Sequence, residues 1–143
     1  MPKNSYTIRI ANWETDRLAL CGIRKTVFIH EQHVPVALEW DTSDANCLHV
    51  LATDLAKRPI GTARLLQDGY IGRMAVLKEW RRMGVGKSLL QRLLIEAKKQ
   101  QMRKVIIHAQ SHAVGFYIGF GFQIVGKEFI DANILHIKMT LQL

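Results

Sequence analysis

The sequence predicts an α/β chain in which one mixed β-sheet carries helices on both faces. Three observations predict it. Several short segments alternate apolar and polar side chains, two longer runs repeat apolar residues at helical spacing, and residues 70–110 read strand, helix, strand in the order of a parallel crossover. At 143 residues the chain is long enough to bury a sizeable core as one domain. Its 48% hydrophobic content with mixed charge is that of an ordinary globular protein.

Residues 5–10, Ser5 to Ile10, alternate and begin the chain as a strand. Asn12 can cap the helix that follows, Glu14 and Asp16 sit favourably in its first turn, and Leu18, Leu20, Cys21, Val27 and Phe28 form its expected apolar face, with Gly22 weakening the middle. Pro35 ends helical continuity, and residues 31–46 make a polar, acidic stretch that is long for a plain connector. Residues 47–55 and 60–66 read as strands joined by a turn at Lys57-Arg58-Pro59. Asp68-Gly69 turns the chain into a strand over 70–76, where Gly72 signals a local distortion or a close backbone approach.

From Val85 to about Gln101 apolar residues follow the helical period, at Val85, Leu89, Leu90, Leu93, Leu94 and Ala97, and Lys98 and Lys99 complement the helix C-terminus. Lys104–Gln110 is then a buried strand, parallel to 70–76. A short helix over 113–119 precedes strands at 122–128 and 134–142. The last should place Leu135, Ile137, Met139 and Leu141 on one face and Ile134, His136, Lys138 and Thr140 on the other. The order β-α-β-β-β-α-β-α-β-β, a meander feeding a βαβ unit, gives one mixed sheet.

Composition excludes several classes of function. No run of about 18 uncharged apolar residues is present, and Met1-Pro2-Lys3-Asn4-Ser5 lacks the apolar run of a leader, so the expected location is the cytoplasm. Cys21 and Cys47 lie in apolar contexts without metal-like spacing and read as packed, reduced thiols. A net charge of +8 raises the possibility of nucleic-acid binding, but the cations are dispersed and no aromatic stacking motif interleaves them. A ligand bearing several phosphates suits the same charge. His30 and His33 are three apart where a zinc helix needs four, with no third ligand evident, so no metal is expected.

Arg81-Arg82-Met83-Gly84-Val85-Gly86-Lys87-Ser88 joins a strand to the long helix. A glycine-rich loop opening a helix leaves backbone N–H groups unpaired at the positive end of the helix dipole, which makes an anion cradle. The P-loop pattern would need its first glycine where Arg81 stands, and the dinucleotide fingerprint would need a glycine at Leu89. Arg81, Gly84 and Gly86 instead meet the pattern Arg/Gln-x-x-Gly-x-Gly/Ala, which resembles the pyrophosphate loop of the GNAT superfamily of N-acetyltransferases. The element order resembles theirs from Ile8 to the C-terminus.

The resemblance implies acetyl-CoA as acyl donor, with its diphosphate on Arg81, Arg82, Met83, Gly84, Val85, Gly86 and Lys87. It implies backbone contacts from Met74, Ala75 and Val76 to the pantetheine, an N–H near Val76 polarising the thioester carbonyl. Phe116, Tyr117, Gly121 and Phe122 match the GNAT segment Phe-Tyr-x-x-x-Gly-Phe, which implies that Phe116 lies against the cofactor and that Tyr117 protonates the departing thiolate. The run Val27-Phe28-Ile29-His30-Glu31-Gln32-His33-Val34-Pro35 resembles the ElaA/YjcF-like branch, in which the acidic loop walls the acceptor site. Glu39 leads the candidates for the base, with Asp41 and His49, and Glu31 reads as structural. His108 and His112 fall near the expected thioester and read as packed or surface histidines.

The expected reaction is direct attack of a primary amine, from a small molecule or a protein, on acetyl-CoA in a ternary complex. Neither cysteine lies in the motifs, which disfavours a covalent acyl carrier. Transfer of another acyl group, a CoA-binding sensor without turnover and a basic nucleic-acid binder are the alternatives. A homodimer accords with the family.

Overall fold

The computed structural model describes residues 5–143; the leader reading rests partly on residues 1–4, which lie outside that range. The strands are β1 (Tyr6–Ala11), β2 (Leu48–Asp54), β3 (Pro59–Leu65), β4 (Tyr70–Val76), β5 (Lys104–Gln110), β6 (Gln123–Ile124), β7 (Phe129–Asp131) and β8 (Ile134–Gln142). They form one eight-stranded sheet in the order β1-β2-β3-β4-β5-β8-β6, with β7 also paired to β8. Pairing is antiparallel except between β4 and β5. A parallel neighbour needs a crossover, and the helix α3 (Val85–Lys99) supplies it.

One face of the sheet is covered by α3, whose Leu89, Leu90 and Leu93 are fully buried against Val50, Ala63, Leu65, Val105 and Ile107. Each such leucine contributes about 2 kcal/mol of burial. The opposite face is covered by α1 (Trp13–Arg24), where Leu20 and Ile23 pack with Leu51 and Ala75. The Asn12 side chain accepts from the Glu14 and Thr15 amides, as a cap should.

The helix differs from expectation in two respects. Its buried stripe runs through Leu20, Ile23, Arg24 and Val27, and Leu18, two residues out of phase with that stripe, is 90% exposed. After Arg24 the chain continues as a wider π-helical turn, Lys25–Glu31, in which the Gln32 N–H reaches back five residues to the Val27 carbonyl. That widening carries Val27, Phe28 and Gln32 to the wall of a cleft.

The acidic stretch is ordered into a short helix, α2 (Val36–Glu39), and a 3₁₀ turn, Thr42–Asn46, capped by Asp41. Helix α4 (Val114–Ile118) follows β5. The strand expected over 122–128 is cut to β6, the chain turning at Gly126, whose φ of 91° belongs to the left-handed region, before the separate strand β7. In β8, Ile137, Met139 and Leu141 pack on the core as the alternation predicts. Leu135 does not: it pairs with Ile130 in the β7–β8 hairpin beyond the core and is 41% exposed. Among the described residues no helix is long and apolar enough to cross a membrane.

Candidate active site

β4 and β5 are both seven residues long, yet they pair only at Tyr70 with Ile106 and Ile71 with Ile107. Beyond those pairs the strands diverge, and a cleft of about 810 Å³ opens between them. The cause lies in β4. The register against β3 runs from Thr62–Ala75 to Arg64–Gly72, so β4 carries one extra residue there, and Arg73 adopts a φ of 50°. This bulge adjoins the Gly72 that marked the segment, and a side chain at Gly72 would meet nothing within 4 Å.

The divergence leaves backbone groups of Met74 and Val76 without a β5 partner, while Ala75, in register with Thr62, turns its own toward β3. The Leu77 N–H bonds the Ile60 carbonyl on the β3 side, so alternation turns the Val76 N–H to the cleft. The Val76 carbonyl accepts from Arg81 Nε at 3.0 Å. Arg81 is further held by the Glu31 carboxylate, at 2.7 and 2.5 Å from Nη2, so its guanidinium closes the end of β4.

The loop after β4 meets α3 at Gly84, whose φ of 84° requires glycine and where a Cβ would lie 3.3 Å from the Tyr6 hydroxyl. The first bond within the helix runs from the Ser88 N–H to the Gly84 carbonyl, and Gly84 supplies no side-chain cap. The amides of Val85, Gly86 and Lys87 are therefore the orphan donors of the helix start. Val85 turns its side chain into the core, while Met83 is exposed. Among the described residues Arg82 and Lys87 form no ion pair. A Cβ at Gly86 would come to 3.9 Å from both the Phe116 ring and the Val76 side chain, so the loop, β4 and α4 converge there.

Tyr117 packs between Phe116 and Phe122, is 7% exposed, and lines the cleft. Its hydroxyl lies 3.9 Å from the Met74 sulfur, directly across from the bulge. Burial pushes its pKa up to about 12, so the phenol keeps its proton through the physiological range.

The wall formed by the loop 36–46 is built differently. Arg24, 1% exposed, donates from Nε to Glu39 at 2.8 Å and from Nη1 to Asp44 at 2.8 Å. Arg64 bonds Asp44 at 2.8 Å and grips Asp41 with both terminal nitrogens, holding the Asp41 carboxyl at a pKa of about 2. Arg73 approaches Glu39 at 3.4 Å and donates to the Leu38 and Glu39 carbonyls. Glu39 lines the cleft but is 2% exposed; burial raises its pKa, and Arg24, Arg73 and Arg64 oppose the rise. His49 is closed off, stacked on Trp13 with Nε2 donating to the Asp44 carbonyl at 2.8 Å. Asp44, Cys47 and His49 approach one another as metal ligands would, but the first and last have these bonds instead, and burial pushes the Cys47 thiol up to about 11.

A sequence profile of the acetyltransferase (GNAT) domain matches residues 14–143. The chain belongs to the GNAT acetyltransferase family. Among its relatives, YjcF of Bacillus subtilis (strain 168), described as an uncharacterized N-acetyltransferase, is 36% identical over 121 residues, covering 82% of this chain and 86% of YjcF. Escherichia coli ElaA superposes with a TM-score of 0.84 at 26% identity, covering 94% of this chain and 98% of ElaA. An acyl-CoA N-acyltransferase from Pseudomonas aeruginosa gives a TM-score of 0.84 at 27% identity over 95% of this chain and 99% of that one.

Within this GNAT fold, three functional-wall residues were not among the sequence candidates: Arg24, Arg64 and Arg73. Their signal was present. Arg64, next to last in β3, and Arg73, in the middle of β4, stand in strands otherwise composed of apolar and small residues, where a buried charge needs a partner. Gln32 and Gln110, bonded at 2.9 Å, link the π-helical turn to the free end of β5 across the mouth of the GNAT cleft.

Proposed function

We propose that residues 1–143 act as one N-acetyltransferase domain that moves the acetyl group of acetyl-CoA to a primary amine, of a small molecule or a protein, by direct attack in a ternary complex. The observation that carries the reading is the open divergence of β4 and β5 ending at a helix start with unpaired amides. An extended amide-bearing arm satisfies the free edge of β4, and a diphosphate satisfies the amides of Val85, Gly86 and Lys87 with Arg82 and Lys87 beside them.

In this reading the loop 81–87 fixes the diphosphate, Arg81 closing β4 through Val76 and Glu31 while the backbone at Met83 and Gly84 shapes the turn. Phe116 covers the arm. An N–H of the free β4 edge near Val76, between Met74 and Val76, polarises the thioester carbonyl, whose oxygen gains negative charge as the amine attacks. The Tyr117 hydroxyl then gives its proton to the sulfur as the C–S bond breaks. Glu39, tied to Arg24 and Arg73, holds the acceptor wall against the bulge.

Thermal unfolding with and without acetyl-CoA, followed by thiol release with a panel of primary amines, tests the reading. A rise in Tm with acetyl-CoA and amine-dependent thiol release are expected. A rise in Tm without turnover of any amine would leave a CoA-binding sensor, and no rise would remove the cofactor site altogether.

A further inference from the structure

The three acidic-loop candidates for the base are all engaged: Asp41 by Arg64, Glu39 by Arg24, and His49 by the Asp44 carbonyl. A different residue stands free at the point where the cleft begins. His108 is the first residue of β5 past the last pair with β4, and it is exposed to the cleft. Its ring is held edge-on between Tyr70 at 5.4 Å and Phe129 at 5.1 Å, and among the described residues neither ring nitrogen has a hydrogen-bond partner.

Side-chain alternation sets the rest of the geometry. Val105, Ile107 and Ala109 face the α3 core that includes Tyr117, so Ile106, His108 and Gln110 face the other side, where Gln110 meets Gln32. An arm anchored at residues 84–87 and running back along Val76 to Met74 brings its thioester to the apex of the cleft. His108 and the Tyr117 hydroxyl then flank it from opposite faces of the sheet.

We propose that His108 is the general base of the reaction, taking the proton that the attacking amine must lose. This rests on the acetyl-transfer reading. The amine lone pair forms the N–C bond to the carbonyl carbon, and the nitrogen's excess proton passes to a free nitrogen of His108. The C–S bond breaks with its electron pair going to sulfur, and sulfur takes the Tyr117 proton. Solvent returns the imidazolium proton to the phenolate, so the net movement is one proton from nitrogen to sulfur.

The groups around His108 keep it in the accepting form. Burial, then Lys138 and His136 on β8, lower its pKa below the ordinary imidazole value, against the opposing charge of Asp131 at the end of β7. Tyr70 on β4 faces the ring edge-on, and Asp68, Arg73, Glu39 and His112 line the same cleft.

The test uses acetyl-CoA with trifluoroethylamine, a primary amine uncharged at neutral pH, with kcat/KM expressed per unprotonated amine so that the remaining acid limb belongs to the enzyme. The unaltered protein should lose activity as pH falls through the His108 pKa. H108Q should lose at least about 10²-fold and lack that limb, with an unchanged acetyl-CoA-induced rise in Tm, and added imidazole should restore H108A in part. Retention by H108Q of activity within about threefold, with the limb intact, overturns the assignment alone. Absence of turnover by the unaltered protein with every amine of the panel brings down the acetyl-transfer reading and this one with it.

Discussion

On the wall of the cleft built by the loop 36–46, Arg24, Arg64 and Arg73 meet Glu39, Asp41 and Asp44 in one cluster that is buried except at Asp41 and Arg73; at the start of α3, Arg82 and Lys87 meet no carboxylate among the described residues. The first cluster holds three charges of each sign and cancels internally. It joins the end of α1, the loop 36–46 and β3 at contacts near 2.8 Å, and β4 through Arg73 to Glu39 at 3.4 Å. At the start of α3, cations and orphan amides stand open. Charge left uncompensated at a surface marks a place for a ligand, whereas charge compensated inside a wall marks a place for rigidity.

Three substitutions would break or sharpen that contrast. Arg24→Met leaves Glu39 and Asp44 buried without their main partner, so it should lower the unfolding free energy by about 3–5 kcal/mol in urea titration, with the acetyl-CoA affinity of the folded protein unchanged. A stability loss below about 1 kcal/mol would mean that the cluster is as weak as an exposed pair. Tyr117→Phe keeps the packing with Phe116 and Phe122 and removes only the hydroxyl. It should lower kcat by about 10²-fold or more, with little change in KM for acetyl-CoA. Equal loss in affinity and turnover would instead make Tyr117 part of the binding surface. Gly84→Ala forces a side chain into the left-handed region beside the Tyr6 hydroxyl. It should cost about 1–2 kcal/mol, seen as weaker acetyl-CoA binding in calorimetry as the helix start shifts. Unaltered binding would show that the amides of 85–87 do not need that turn.

How far each region was legible follows from the range of the forces that build it. The loop 81–87 was legible because its information is local: glycine spacing, a helix start and nearby cations act within a few residues. The capped start of α1 and the crossover 70–110 were legible for the same reason. The end of α1 was less so, because the turn Lys25–Glu31 widens where Val27 and Phe28 pack against the cleft, a demand that propensity along the chain does not encode. The acidic stretch was misleading in one respect. Glu39 and Asp41 read as candidates for a base, and the arginines that hold them, Arg24 and Arg64, lie 15 and 23 residues away in sequence.

By itself the sequence determined the element order, the mixed sheet, the glycine turn at the start of α3 and the placing of Tyr117 on a short helix after β5. These follow from periodicity and local backbone chemistry. Only the tertiary structure decided where β4 parts from β5, which acids are matched by arginines and which imidazole stands free at the apex of the cleft. Those outcomes depend on contacts between distant segments, and such contacts exist only once the sheet has assembled.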